Sequence, residues 1–384
     1  MSLPGAPAAK QASNVTPLSL LFGQETSFQT IVSPPVDISA RPVTIRHVAG
    51  AGAPPVGRYD VDMIMLSLDR VEDTIAAIRS ALGQTGLSAH LTILDQGSRP
   101  QALDRLAAEV RGRTDATLLA ADGNLGVAGG RNLTSGQGHG RVIVALDNDA
   151  EFATADTVAR MLIALDAEPR LAAVGCRIVT HADGRDDIGS WGYPNSLLPC
   201  AGECFDTVTY VGAGHALRRT AWEQAGGYDG TLFFCWEEFD FCLRAIALGW
   251  RVRYRGDIVI RHKVSAERRV AWSADRWFYF VRNRLYIELK LGRRWAELAP
   301  RAMGYLLKGL RNGLLIQTLR ALSAARGMAP RKGSRNGSRM LPRAAAAYVA
   351  RNDKAHRGSF VTRIRHEVLG RLRHPQGAVA ASDR

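Results

Sequence analysis

The fold is decided by the stretch VIVALDND at residues 142–149, where five apolar residues precede an Asp-Asn-Asp triplet. A short apolar run rich in β-branched residues predicts a strand that is buried on both faces. In an open parallel sheet, ligands bind beyond the carboxyl ends of the strands. The stretch therefore predicts a sheet covered by helices and also the edge of that sheet where a site would lie.

Outward from this strand, apolar runs alternate with segments of helical periodicity. The predicted strands are residues 61–68, 91–94, 116–120 and 141–146, and the predicted helices are 72–82, 101–110 and a segment after Gly129. Repeated βα units of this kind imply an α/β fold, with a mostly parallel sheet and helices on both faces.

Polar residues follow each predicted strand at the same edge of the sheet. Asp69, Asp95 and Asp147 stand at three strand ends, and the fourth end is glycine-rich around Gly126. If Asp147 and Asp149 lie on an extended segment, their carboxylates point the same way and can approach one hard cation that also holds a diphosphate. The alternative interpretation of the triplet is a polar turn that caps the strand.

The glycine-rich segment GNLGVAGGRN at residues 123–132 lacks the G-x-G-x-x-G spacing of a dinucleotide site, so we exclude a Rossmann dehydrogenase. Its glycines allow the backbone to approach a ligand closely, and Arg131 could reach a phosphate. An ordinary loop leading into a helix explains the segment equally well.

Two further candidates for chemistry lie in the second half of the chain. Glu237 and Glu238 open a predicted helix that stops at Gly249. They are either first-turn acids favoured by the helix dipole, or one of them is a general base. His262 follows the apolar strand 258–260 and is a candidate metal ligand or diphosphate contact, although a lone histidine is more often structural.

The 384-residue chain has 46% hydrophobic and 22% charged residues, which is the composition of a folded protein. No apolar run approaches the ~20 residues of a membrane-spanning helix, and the N-terminus has no pattern of a secretory signal. The five cysteines are an odd number without a C-x-x-C pair, which favours reduced thiols. We therefore expect a cytoplasmic protein.

The positive charge is concentrated in the last quarter of the chain. Residues 291–384 carry 20 Lys and Arg but 4 Asp and Glu, out of 50 and 36 in the whole sequence. A basic tail on a near-neutral body fits the anionic inner face of the cell membrane better than nucleic acid, which we do not expect as a partner. The apolar stripe at 303–314 predicts either a helix packed on the main domain or an in-plane membrane helix. A basic linker at 326–343 and a basic amphipathic helix at 360–372 are predicted to follow.

Taken in order, these motifs resemble inverting glycosyltransferases of family 2, which have the GT-A fold, over residues 60–290. LDQGS at 94–98 is similar to the family's V-D-N-G-S, and residues 124–132 are similar to its N-x-G segment. The triplet at 147–149 matches the metal-binding D-x-D, and WEEFDFCLR at 236–244 is similar to the E-D-x-D-l-c-x-R helix. Matches at further family positions are VGAGHALRR at 211–219, GGYD at 226–229, His262 and Arg282-Asn283. The set is more similar to the rhamnosyl- and galactofuranosyltransferase-like branch than to processive synthases.

The resemblance implies three parts in the chain. Residues 1–57, rich in Pro, Ala, Gly and Ser, form an N-terminal extension of unknown role with a predicted strand pair at 27–32 and 42–47. Residues 58–290 form a GT-A catalytic domain with a Rossmann-like nucleotide-sugar sheet, and residues 291–384 form a basic helical extension that contacts the membrane.

The implied activity is transfer of a hexosyl or deoxyhexosyl group from a nucleoside-diphosphate sugar to a saccharide or lipid-linked acceptor in cell-surface glycan synthesis. A Mn²⁺ or Mg²⁺ cofactor would stabilise the departing diphosphate, and a single base without a nucleophile implies one displacement with inversion.

The resemblance also implies roles for individual residues. Glu238 is the catalytic base, with Glu237 as the alternative because Glu stands where the family has Asp. The expected metal ligands are Asp147, Asp149 and His262. The expected nucleotide-sugar contacts are Asp69, Asp95, Gly126, Arg131, Asn132 and Asp147. The acceptor side is expected to be formed by Gly212, Gly214, Trp236 and Asp240.

Two other functions remain as alternatives. A sugar-1-phosphate nucleotidyltransferase would carry a glycine-rich basic loop directly after the first strand, and residues 66–70 lack one. A non-catalytic binding module with a glycosyltransferase-like fold is disfavoured by the intact D-x-D and by the acidic pair at 237 and 238.

Overall fold

The computed structural model describes residues 43–263, 274–328 and 341–358. These form a ten-stranded sheet with helices packed against it. The strands are β1 (Ile45–Gly50), β2 (Val61–Ser67), β3 (Ala89–Asp95), β4 (Ala116–Ala121), β5 (Val142–Leu146), β6 (Ala150–Phe152), β7 (Leu171–Thr180), β8 (Cys204–Thr207), β9 (Gly214–Arg218) and β10 (Arg251–His262). The helices are α1 (Val71–Leu82), α2 (Pro100–Val110), α3 (Gly126–Ser135), α4 (Thr157–Ala167), α5 (Arg219–Ala225), α6 (Glu237–Ala247), α7 (Ala274–Lys290), α8 (Trp295–Arg311), α9 (Leu315–Gly327) and α10 (Arg343–Asn352).

The strand order is β1-β4-β3-β2-β5-β9-β7-β10-β6. Strand β8 lies outside this order and pairs antiparallel with β10. The four strands β4, β3, β2 and β5 are parallel, as the βα alternation predicts. β9 then runs antiparallel between β5 and β7, and β10 is parallel to β7. Parallel pairing therefore occurs among β4, β3, β2 and β5 and between β7 and β10, and the sheet as a whole is mixed.

The strand quoted first, β5, lies at the centre of the sheet between β2 and β9. All five of its residues are buried, which explains why the run is uniformly apolar rather than alternating. β2 and β3 on the same side are almost as fully buried. Their carboxyl ends meet at one edge of the sheet, as the sequence predicts.

Strand β1 lies inside the segment that the sequence analysis treats as an extension. It pairs antiparallel with β4 at the edge of the sheet, with Ile45 opposite Ala121. The expected pairing with residues 27–32 lies outside the described residues. The sheet therefore begins before residue 58, with an edge strand that pairs with the otherwise open side of β4.

The C-terminal helices form a layer with a core of its own, in which Trp277, Leu285, Leu298 and Ala321 are buried. The stripe predicted at 303–314 is part of α8. The helix predicted at 360–372 and most of the basic linker at 326–343 lie outside the described residues. In the part of the chain that is described, no helix is both long and apolar enough to cross a bilayer.

Candidate active site

The Asp-Asn-Asp triplet forms a tight turn between β5 and β6, in which the Ala150 amide donates a hydrogen bond to the Asp147 carbonyl at 3.0 Å. The expectation of an extended segment is therefore corrected, since the short strand β6 turns back at once to pair with β10. As a result, Asp147 and Asp149 are bound by different cationic side chains.

Arg131 is the cation that binds Asp147, and it comes from helix α3. Its Nη2 donates to Asp147 Oδ1 at 2.8 Å and to the Gly212 carbonyl at 2.9 Å, while its Nη1 donates to Glu238 Oε1 at 2.9 Å. The arginine is 3% exposed. One buried guanidinium thus joins the triplet to the acidic pair, and only a planar fork of donors can do this with such geometry. Three of the five N–H donors of Arg131 are engaged by these contacts, and its predicted contact with a phosphate stays a prediction.

The two glutamates that open α6 have different environments. Glu238 is paired with Arg131 and its side chain is 14% exposed. Glu237 is 3% exposed, and its Oε2 has no hydrogen-bond partner among the described residues. Burial, with the neighbouring Glu238 charge as a second cause, raises the pKa of Glu237 well above its usual value. The environment of Glu237 therefore favours the neutral form of its carboxyl group.

Asp149 lies in a second cationic environment formed by Arg70 and His262. Arg70 donates to Asp149 Oδ2, and His262 Nε2 lies 3.4 Å from Asp149 Oδ1. On its other face, His262 Nδ1 is 2.8 Å from Asp187 Oδ2. Burial opposes the charged form of His262, but the two flanking aspartates outweigh it and raise its pKa to about 9.

These residues can be tested for fit to a divalent cation. The donor set of carboxylate oxygens and an imidazole suits Mn²⁺, and a carboxylate on the far nitrogen of the histidine is the usual outer partner of a metal-binding imidazole. Asp149 and His262 meet this description. Asp147 is committed to Arg131, and no group of three His, Cys, Asp or Glu with metal-ligand spacing occurs in the described ranges. The fit is therefore to a two-ligand protein site, with the remaining positions left to diphosphate oxygens and water.

Asp95 ends β3 beside a cavity of about 510 Å³, whose lining also includes Arg46, Ser98, Asp104 and Asp122. Asp95 Oδ1 accepts hydrogen bonds from the amides of Gly97 and Ser98, at 3.2 and 2.9 Å. The carboxylate is thereby fixed at the cavity wall. Asp69 lies nearby, since its amide donates to Ser98 Oγ at 2.6 Å.

Two residues expected to touch the nucleotide sugar hold the local backbone. Gly126 has φ +72°, and a Cβ at this position would lie 2.4 Å from the Phe233 carbonyl oxygen, so only glycine fits. Asn132 donates to the Tyr228 carbonyl and accepts from the Tyr228 amide, both at 2.9 Å. These contacts dock α3 against the segments that lead to α6.

The residues expected on the acceptor side divide into two groups. Gly212 lies against Glu238, because a Cβ there would be 2.6 Å from Glu238 Oε1. Trp236 donates from Nε1 to the Phe280 carbonyl at 3.0 Å. Gly214 lies instead against the side chain of Ile260, within the sheet.

Asp240 differs from the expectation of an acceptor contact. It is 2% exposed and its oxygens pair with Arg244 at 2.8 Å and with Lys290 at 2.9 Å. Asp229 binds the same lysine at 2.8 Å. Asp240 lies about one helical turn after the two glutamates, and its buried side chain links α6 to α7 through Lys290.

This ion cluster predicts a stability change with pH. Burial opposes ionisation of Asp229, but Lys290 and Thr231 outweigh it and lower its pKa to about 2. The contribution is complete above the unfolded-state pKa near 4 and is lost as the pH falls towards 2, an effect of about 2 kcal/mol. We expect Lys290→Met to lower the free energy of unfolding at neutral pH by a similar amount and to flatten its decline in acid. Urea titrations over this range check the prediction, with the exposed Lys354→Met as the control that changes neither; equal acid slopes for wild type and Lys290→Met would contradict it.

Three contributors to the site carry no signal that identifies them from sequence. Arg70 follows the first strand, but nothing in its spacing connects it with Asp149. Asp187 lies in the long loop after β7, and its contact with His262 depends on the conformation of that loop. Asn283 was quoted only as a motif match; its Nδ2 lies 2.8 to 2.9 Å from the carbonyls of residues 232, 234 and 235, which lead into α6.

Comparisons with known proteins bear on this arrangement. Residues 142–329 match the model of glycosyl transferase family group 2. A stretch of 126 residues is 32% identical to the succinoglycan biosynthesis protein ExoO of Rhizobium meliloti (strain 1021), which is 33% of this chain and 35% of that protein. The similarity thus spans about a third of the length of this curated relative.

Solved structures are similar at low sequence identity. GalNAc-T7, solved with UDP, GalNAc and Mn²⁺, gives a TM-score of 0.50 at 14% identity, over 61% of this chain and 48% of that one. The mannosyltransferase PcManGT from Pyrobaculum calidifontis, in complex with GDP-Man and Mn²⁺, gives 0.48 at 19% identity, over 83% and 87%. At such identities the likeness is one of fold. The likeness to GalNAc-T7 shows the GT-A fold, and the similarity to glycosyl transferase family group 2 covers residues 142–329, from β5 to the end of α9, a little under half of the chain.

Proposed function

We propose that the protein is an inverting glycosyltransferase, which moves a sugar from a nucleoside diphosphate to an acceptor hydroxyl with Glu238 as the base. The observation that carries the proposal is the Arg131 fork, since it holds the strand-end carboxylate Asp147 and the glutamate Glu238 on one guanidinium. Such a link brings the diphosphate side and the acceptor side of a transfer reaction into one site.

Glu238 suits a general base because it is paired with a cation and partly accessible. In the reaction it would accept the proton of the acceptor hydroxyl while that oxygen attacks the anomeric carbon and the bond to the diphosphate breaks. Glu237 is buried and its environment favours the neutral carboxyl, which makes it a poor nucleophile for a covalent intermediate. One working carboxylate supports a single displacement, which inverts the anomeric centre.

On the donor side, Asp95 and the adjoining cavity of about 510 Å³ are placed to receive the nucleoside. Asp149 and His262 would hold Mn²⁺ or Mg²⁺, which when bound would act as a Lewis acid on the departing diphosphate. Arg70, released from Asp149, would be free to contact a phosphate oxygen. Gly212 and Trp236 would line the acceptor side beside Glu238.

The relative ExoO is by its name a protein of succinoglycan biosynthesis. That name supports a saccharide or lipid-linked acceptor in cell-surface glycan assembly, with the reaction on the cytoplasmic side of the membrane. The donor sugar is a hexosyl or deoxyhexosyl group in this proposal.

The direct test is metal-dependent donor binding. We expect one member of a panel of nucleoside-diphosphate sugars (UDP-glucose, UDP-galactose, GDP-mannose, dTDP-rhamnose) to bind in the presence of Mn²⁺ by calorimetry. Asp149→Asn should weaken that binding by about tenfold or more, because it removes a charged ligand next to the diphosphate. The matched control is Asp166→Asn, since this exposed aspartate pairs with Arg141 just before β5, at the end of the strand opposite to the Asp-Asn-Asp triplet. Binding of a donor with equal affinity by wild type and Asp149→Asn would contradict the metal assignment, and binding of no donor at all would contradict the transferase.

A further inference from the structure

The α8–α9 hairpin exposes large apolar side chains that nothing in the described structure covers. Met303, Leu307 and Leu310 follow each other at helical spacing on α8 and are 55%, 50% and 61% exposed. On α9, Ile316 and Leu319 are 69% and 51% exposed. The opposite face of α8 packs inward through Leu298 and Gly309, so the outer stripe is not needed for the helical core.

These side chains lie on both arms of the hairpin, near its tip. The turn between the helices contains Gly313 at φ +70°. Leu307 and Leu310 precede this glycine by six and three residues, and Ile316 and Leu319 follow it by three and six. The exposed apolar residues therefore lie together on both sides of the turn between α8 and α9. Apolar residues exposed singly are common on protein surfaces, but a group of them marks an interaction surface.

The charge of the α8–α9 hairpin is almost entirely positive. Residues 291–328 contain seven Lys and Arg but one Asp or Glu. Arg311, Arg320 and Arg326 are exposed, and none of them has an acidic partner within the described ranges. A second copy of the chain would bring two basic rims together, so self-association is electrostatically opposed. An anionic lipid surface offers what the tip lacks, phosphates for the arginines and an acyl boundary for the leucines.

We propose that the α8–α9 hairpin docks this protein on an anionic bilayer, with Leu307, Leu310, Ile316 and Leu319 at the boundary between headgroups and acyl chains. Arg311 and Arg320 then lie among the lipid phosphates. The docking is an in-plane attachment of a hairpin tip and requires no spanning helix.

The hairpin is joined rigidly to the segment that carries the acidic pair. Thr318 of α9 accepts a hydrogen bond from Trp277 Nε1 of α7 at 2.8 Å. Two turns along α7, Asn283 binds the carbonyls that precede α6, including Cys235 at 2.9 Å. If the protein is the proposed transferase, this places Glu238 at a fixed position relative to a lipid-linked acceptor; the docking itself does not depend on that activity.

The test is flotation of the full-length protein with vesicles. We expect binding to vesicles of phosphatidylglycerol and phosphatidylcholine in equal parts, and little binding to phosphatidylcholine alone. Leu307→Glu/Leu310→Glu should weaken binding by at least about tenfold. The substitutions remove two apolar side chains that would insert into the bilayer and add negative charges that the anionic lipid repels. Arg311→Gln/Arg320→Gln should weaken it by roughly tenfold and reduce its sensitivity to salt.

The matched control is Ile163→Glu/Leu248→Glu, which alters two apolar residues that are 67% and 52% exposed elsewhere on the molecule. It should bind vesicles as the wild type does, and thermal melting should show all variants folded. Vesicle binding that survives in Leu307→Glu/Leu310→Glu would overturn the proposal. The proposal would also be overturned if the wild type binds neither vesicle type and forms a dimer, measured by light scattering, that the same substitutions dissociate.

Discussion

Replacing Glu238 by Gln is expected to lower the turnover number by about 1,000-fold, because the acceptor hydroxyl then has no base to take its proton. The amide keeps the size of the side chain and an oxygen that can accept the Arg131 hydrogen bond. Affinity for the nucleotide sugar should therefore stay within about threefold of the wild type, a change of less than 1 kcal/mol. Initial rates with a saturating donor, together with calorimetric donor affinities, measure the two effects separately.

The neighbouring residue supplies the matched control. Glu237→Gln makes the same chemical change one residue away, but Glu237 is buried and its raised pKa favours the neutral carboxyl. An amide is close to a neutral carboxyl in shape and hydrogen bonding, so turnover should change by less than about tenfold. If Glu237→Gln is the variant that loses turnover, while Glu238→Gln remains active, the two roles are exchanged and the assignment of the base is wrong.

The parallel part of the fold could be predicted from the sequence because its causes are local. A uniformly apolar run such as β5 has few alternatives to a buried strand, and α1 and α2 have clear periodicity. Family resemblance added the order of the motifs. The match to the model of glycosyl transferase family group 2 supports this resemblance over residues 142–329. The resemblance placed a strand within residues 211–219, where β9 lies, but its antiparallel direction was not predicted, since strand direction depends on the connection between β8 and β9 rather than on residues in β9.

The site was predictable only in part, because its geometry depends on backbone conformations that the sequence does not announce. Phe233, Cys235 and Trp236 all have positive φ, which is uncommon outside glycine, and they shape the loop that delivers Glu238. That loop is held by Asn283 from a helix about 50 residues away in the sequence. Residue patterns identify the acidic pair, but they do not tell which of its members is buried and which is paired with Arg131.

Arg131→Met is expected to lower the free energy of unfolding by about 3 to 5 kcal/mol, as removal of one partner from a buried ion pair does. Methionine fills most of the volume, but it leaves the Gly212 carbonyl without its donor and Glu238 without its cation. Glu238, with a side chain only 14% exposed, then remains as a poorly solvated charge. Urea denaturation measures the loss. Arg99→Met, which removes a guanidinium that is 81% exposed and 3.5 Å from Asp69, should change stability by less than about 1 kcal/mol.

A double variant tests whether the lost stability comes from the unpaired charge. In Arg131→Met/Glu238→Gln the uncompensated carboxylate is replaced by a neutral amide, so about 1 to 2 kcal/mol of the loss should return. Turnover should stay as low as in Glu238→Gln, because the base is absent in both. If the second substitution instead adds its own destabilisation to the first, Arg131 stabilises the fold through contacts other than Glu238, and the guanidinium link between the two sides of the site is not the reason this arginine is buried.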